Sequence, residues 1–117
     1  MLDVARNFMP VETLRQTIDS LRVSKMNVLH LHLSDSQSFP LELTSGRGPD
    51  LTAAAAYSPN QTYSPADIAS LHAYATANGV VLIPEIDTPG HARSFGVAPG
   101  ARAARQPGRG HAPSLAS

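Results

Sequence analysis

Cysteine and tryptophan are both missing from the 117 residues. Without cysteine there is no disulfide, no thiol nucleophile and no Cys-ligated metal site. The compartment stays open, because secreted chains can lack cysteine too. No apolar run approaches the roughly 18 residues of a membrane-spanning helix, so no membrane partner is expected. No charged-then-apolar leader opens the chain, which predicts no signal peptide within it. There is no glycine-rich phosphate loop. No basic patch interleaved with aromatics occurs in the first 95 residues, so nucleic acid is not an expected partner. The length allows one domain at most.

Acids are missing from one end only. Residues 96–117 hold three Arg and no Asp or Glu, a net of +3, while residues 1–95 hold six bases against nine acids, a net of −3. The formal charge of zero is therefore the sum of two unlike segments. Ala, Gly, Pro and Arg make up 16 of the last 22 residues, a composition that reads as a disordered tail without a core. Codons beginning with two G or C bases encode these four residues. A GC-rich message read past a splice error or in a shifted frame is one expected origin.

What is present in residues 1–95 alternates between two periods. Met1–Ala5 is a short strand-like run. Leu14, Ile18 and Leu21 recur at i, i+4 and i+7, a helical stripe, with Glu12 in the first turn, Arg22 and Lys25 in the last, and Asn27 as a stop. Val28–Leu33 reads as a strand. Residues 34–63 read as loop, with a turn at Arg47–Asp50 and one helical turn over Ala53–Ala56. Ser64-Pro65-Ala66-Asp67 is a helix start, with Ile68, Leu71 and Ala75 as its apolar stripe and Gly79 as its end. Val80–Ile86 is the most strand-like stretch of all.

The order β-α-β-α-β predicts parallel strands joined by crossovers. Such a sheet needs cover on both faces, which two helices cannot supply. The pattern fits a small doubly wound domain or the opening of a (β/α)8 barrel, which takes about 250 residues.

In a parallel α/β sheet, chemistry gathers at the strands' carboxyl ends. Arg6 follows the first strand, Asp35 the second, and Glu85, Asp87 and His91 the third. Period 2 puts Glu85 and Asp87 on one side above Val81 and Ile83, with Val80, Leu82, Pro84 and Ile86 facing the helices. A strand-end acid also commonly caps loop amides. Asp3 is expected to pair with a base such as Arg6. His30 and His32 share a face, where packing or hydrogen bonding is the first expectation and metal ligation the second. A cleft of carboxylates, Arg and His suits a polyol, whose hydroxyls need acceptors and donors.

Three segments then stand out: Leu2-Asp3-Val4-Ala5-Arg6-Asn7-Phe8, His30-Leu31-His32-Leu33-Ser34-Asp35-Ser36-Gln37-Ser38-Phe39-Pro40-Leu41, and Pro84-Glu85-Ile86-Asp87-Thr88-Pro89-Gly90-His91. Together they resemble the family 20 glycoside hydrolases, the β-N-acetylhexosaminidases, with fungal members as the nearest likeness. The resemblance implies an α/β fold, an incomplete (β/α)8 TIM barrel of about three strands and two helices over residues 1–95, followed by the tail 96–117. It implies that Arg6 binds hydroxyls of the terminal N-acetylhexosamine, that Asp35 takes part in the active site, and that His91 supports the general acid. Glu85 and Asp87 match acids of the family's third-strand motif. No cofactor or metal is implied.

The family's mechanism is substrate-assisted and retaining. The sugar's 2-acetamido oxygen attacks the anomeric carbon. An adjacent Asp-Glu pair orients that group and protonates the leaving oxygen. No Asp-Glu dipeptide occurs in this sequence, which predicts an inactive polypeptide. A sugar-binding remnant, or a metal-binding module using His30, His32, Asp87 and His91, are the competing expectations. The implied substrates are N-acetylhexosaminides, as chitin oligomers or glycoconjugates. The parent is expected to be secreted or lysosome/vacuole-like, and homodimeric. Asn60-Gln61-Thr62 is an N-glycosylation acceptor pattern that agrees with this.

Overall fold

The computed structural model describes residues 1–43 and 50–97. The tail over 98–117, and the turn over Arg47–Asp50 except for Asp50 itself, lie outside the described residues.

Three parallel strands form one sheet in sequence order: β1 (Leu2–Asp3), β2 (Val28–His32) and β3 (Val81–Glu85). The register sets Asp3 beside His32 and His32 beside Glu85. That register brings the carboxyl ends of all three strands level, so whatever follows each strand meets its neighbours.

Helix α1 (Val11–Val23) buries Leu14 and Ile18, two residues of the expected stripe. It ends earlier than Asn27. Lys25 takes a left-handed conformation (φ 58°), and the Met26 N–H donates to the Leu21 carbonyl at 2.9 Å. This is a Schellman closure, which satisfies the last carbonyls without help from a side chain. Asn27 looked like the stop because Asn tolerates that conformation. The chain instead places Lys there.

Helix α2 (Leu51–Ala55) is the short turn expected near Ala53, capped by Asp50, whose carboxylate accepts from the Ala53 N–H. Helix α3 (Pro65–Ala77) starts with a full capping box between Ser64 and Asp67. It closes as α1 does, with Gly79 at φ 71° and the Val80 N–H donating to the Ala75 carbonyl.

The core is a single cluster that includes Leu14, Ile18, Leu29, Leu31, Leu71 and Val80. It lies between α1, α3 and one sheet face. Tyr63 seals its edge. Its ring stacks on Phe8 at 4.9 Å, and its hydroxyl donates to the Met9 carbonyl at 2.6 Å. Burial pushes this phenol up to about 12.

Among the described residues, no helix lies on the opposite sheet face. Val81 and Ile83 are 58% and 43% exposed, and Val28 is exposed too. Ile86, expected to face the helices, is also exposed, because the helix layer ends before reaching it.

Candidate active site

Each strand delivers polar groups to the same end. After β1 the chain turns back on itself. Asp3 Oδ1 accepts the Arg6 N–H at 2.9 Å, and Asp3 Oδ2 pairs with Arg6 Nε. Asp3 thus caps the turn and aims the guanidinium.

After β2 the chain goes inward rather than out to solvent. Ser34, Asp35, Ser38, Phe39 and Pro40 are all buried. Burying a polar loop costs least when its groups are paired, and among the described residues the Ser38 hydroxyl is the group of this loop left without a partner. Here the Asp35 N–H donates to the Ser38 carbonyl at 3.1 Å, the Phe39 N–H donates to Ala55, and Asp35 Oδ1 accepts the Ser36 N–H at 2.6 Å. Asp35 therefore caps its own loop, and its other oxygen is left for something else.

That oxygen, Oδ2, is the meeting point. It lies 3.2 Å from Arg6 Nε, 3.0 Å from His32 Nε2 and 3.1 Å from His91 Nδ1. The three partners come from three different strand ends. His91 reaches it from a left-handed backbone position (φ 51°), a conformation that costs a non-glycine residue about 1–2 kcal/mol. Phe95, packed edge-on against Phe39 at 5.2 Å, holds the following segment onto the β2 loop.

His32 links this group to Glu85. Its Nδ1 pairs with Glu85 Oε1, and Glu85 Oε2 pairs with His30 Nε2. The main-chain N–H of Asp87 donates to Ser34 Oγ at 3.0 Å. Arg6, Asp35 and His91 are thus in direct contact, Glu85 joins them through His32, and Asp87 stands beside Glu85.

Hydrogen bonding to Asp3 raises the Arg6 guanidinium. Burial works against the charge of Asp35. Hydrogen bonds from His32 and Ser36, with the nearby Arg6 and His91, outweigh it and hold the carboxyl below its usual 3.8. The His32 hydrogen bond likewise holds Glu85 below 4.5. Burial of His32 opposes its charge, yet the flanking Glu85 and Asp35 carboxylates raise it above 6.5.

The signs follow from linkage. The acids stabilise the fold at pH above their ordinary values, and lose that effect as pH falls through their lowered ones. His32 stabilises fully below 6.5, and loses that effect as pH rises through its raised value. The cluster is therefore most stable between roughly pH 4.5 and 6.5. In an NMR titration at low protein concentration, the His32 ring is expected to titrate above 6.5 and to move down in Glu85→Gln. An unchanged midpoint in that variant would show that Glu85 does not hold the charge.

The sequence expectation for His32 is packing or hydrogen bonding first and metal ligation second, and His32 is hydrogen-bonded, to Glu85 and Asp35. It is the hub between two carboxylates. The signal was available: His32 precedes Asp35 by three residues, and parallel register sets it opposite Glu85. Tyr57, unremarked in the sequence, donates its hydroxyl to the Arg6 carbonyl at 3.2 Å. The groupings with ligand spacing are Asp3–His32–Asp35 and His32–Glu85–Asp87, each with its ligand atoms within 4.8 Å of one another. Among the described residues, His91 belongs to neither, so the metal-binding set of His30, His32, Asp87 and His91 is not assembled. The imidazole nitrogens and carboxylate oxygens of His32, Asp35 and Glu85 already meet one another, which leaves an ion to compete with those pairs.

Chemically, the arrangement offers a fixed anion flanked by a guanidinium and two imidazoles. Such a group can accept and donate hydrogen bonds to adjacent sugar hydroxyls.

The family model "Glycosyl hydrolase family 20, catalytic domain" matches residues 1–114. β-Hexosaminidase 1 of Coccidioides posadasii is 46% identical over 94 residues, covering 80% of this chain and 15% of that protein. The β subunit of mouse β-hexosaminidase is 42% identical over 96 residues, covering 82% and 18%. The solved β-N-acetylhexosaminidase of Streptomyces coelicolor superposes with a TM-score of 0.71 at 33% identity, covering 83% of this chain and 20% of that one. The chain spans less than a fifth of the length of these curated relatives. With strand ends, motifs and superposition in agreement, the chain belongs to glycosyl hydrolase family 20, within the family's catalytic domain.

Proposed function

We propose that residues 1–95 are the first three strands of a β-N-acetylhexosaminidase barrel, which removes terminal non-reducing N-acetylhexosamine from chitin oligomers or glycoconjugates. The observation that carries this is the convergence of Arg6, His32 and His91 on one oxygen of Asp35. In this reading Arg6 binds the sugar's hydroxyls, Asp35 takes part in the active site by holding Arg6 and His91, and His91 supports the general acid. Glu85 supports the site through His32, and Asp87 stands beside Glu85. The nucleophile is the substrate's own acetamido oxygen, so a missing protein nucleophile is no obstacle.

The missing group is the Asp-Glu pair, and no such dipeptide occurs in the 117 residues. We therefore assign this polypeptide, by itself, no hydrolytic activity. The division into 1–95 and a tail 96–117 is part of the same proposal. The alignments with the two relatives span 94 and 96 residues, which supports it, whereas the family-model match runs on to residue 114. Comparing the genomic reading frame downstream of residue 95 decides it: an in-frame, uninterrupted continuation to Ser117 would sink the shifted-frame origin. The parent is assigned to a secreted or lysosome/vacuole-like compartment.

The test uses the longer catalytic domain that carries these residues. Asp35→Asn keeps the shape but removes the anion that all three partners share. A fall in kcat/KM of about 10²–10³ is expected, the scale for removing one preorganised charged partner from a site. An unchanged kcat/KM would remove Asp35 from the site.

A further inference from the structure

The structure assigns Asn60 as an acceptor for an N-linked glycan, rooted at the strand-end side of the fold and clear of the core. This rests on the secretory reading of the parent given above.

Asn60-Gln61-Thr62 is the one Asn-x-Ser/Thr triplet in the 117 residues, and neither Gln61 nor Tyr63 is proline. Asn60 is exposed and lies in a turn. The turn closes on itself, since the Gln61 N–H donates to the Ser58 carbonyl at 3.0 Å and the Ser58 hydroxyl donates to Gln61 Oε1 at 3.1 Å. Among the described residues the Asn60 side chain has no hydrogen-bond partner, so its amide points to no competing contact. Thr62 is held in place by its hydroxyl, which donates to Glu42 at 2.8 Å.

The next residue, Tyr63, is fully buried and pinned on both sides. Its N–H donates to the Pro40 carbonyl at 2.8 Å, and its carbonyl accepts the Glu42 N–H at 2.9 Å. A bulky group at Asn60 therefore swings in solvent without pulling on the core, as a surface glycan must. The loop joins β2 to α3, so it lies at the strands' carboxyl ends. Three residues earlier, Tyr57 donates its hydroxyl to the Arg6 carbonyl.

In the transfer, Asn60 Nδ2 bonds to C1 of the first sugar of a lipid-linked oligosaccharide diphosphate. The C1–O bond to the diphosphate breaks. The lipid diphosphate leaves with the bonding pair, and one amide proton passes to a base of the transferase.

The experiment expresses the full chain behind a supplied secretion leader in a eukaryotic secretory host. An appended C-terminal tag with its own acceptor triplet reports entry into the compartment. Transfer accompanies translocation, so the total membrane fraction is scored whether or not the chain folds. Two amidase-sensitive additions are expected in the wild type, one in Asn60→Gln and Thr62→Ala, and two in Thr62→Ser. A wild-type chain with a glycosylated tag and nothing further added overturns the proposal, as does a second addition that survives Asn60→Gln. Because the leader sets the compartment, neither result depends on where the parent resides. Fractionation of the parent tests that reading separately.

Discussion

Purified as these 117 residues, the protein will release no nitrophenol from p-nitrophenyl N-acetyl-β-glucosaminide above the buffer rate. What the three strands assemble is a linked set of side chains: Arg6 and His91 meet on Asp35, and His32 ties them to Glu85. None of these groups stands in for a proton donor matched to the leaving oxygen. A positioned general acid contributes about 10²–10⁴ in rate. An anion facing the forming oxazolinium contributes about 10²–10³ more. Without both, turnover falls at least about 10⁴-fold below that of a complete domain. Hydrolysis by the pure chain that disappears in Asp35→Ala would overturn this. If N-acetylglucosamine still perturbs the resonances of Arg6 and Asp35, the chain keeps sugar affinity without chemistry.

The second large effect is on cooperativity. The isolated chain is expected to melt broadly, with a midpoint that depends on concentration. β3 pairs with β2 on one side, and among the described residues nothing pairs with its other edge. An unpaired edge is a template for another chain. The exposed faces of Val81 and Ile83 add apolar surface beside that edge. On the helix side, Leu82 and Pro84 line an open groove of about 490 Å³ with Leu31, Leu33 and Ile68. Parallel sheets are stable when covered on both faces, and among the described residues this one is covered on one. Val81→Lys places a charge at the edge and is expected to reduce self-association in sedimentation without restoring a sharp transition. A steep, concentration-independent two-state melt of the unmodified chain would contradict the open-edge account.

Much of the fold could be read from the residues because its signals are local. The capping box at Ser64–Asp67, the stripe through Leu14 and Ile18, and Gly79 as a stop each depend on a few neighbours, and each stands in the structure. The stop at Asn27 failed for the complementary reason. The Schellman closure needs a left-handed residue, which Gly79 announces by its type and Lys25 does not. The site divides in the same way. Strand-end positions follow from order and period. The role of His32 does not, because it depends on the register that sets it opposite Glu85. The depth of the loop after β2 was also hidden. Ser34 and Asp35 look like solvent-facing residues until their partners are known.

Asp35 Oδ2, shared by side chains from three strand ends, also constrains how the chain can change. Arg6, His32 and His91 are far apart in sequence, yet each is held by the same atom. Substitutions at any two of them will not add, since the first already alters what the second would lose. Drift at one strand end therefore narrows what the other two can accept. The three segments have to vary as one heritable unit.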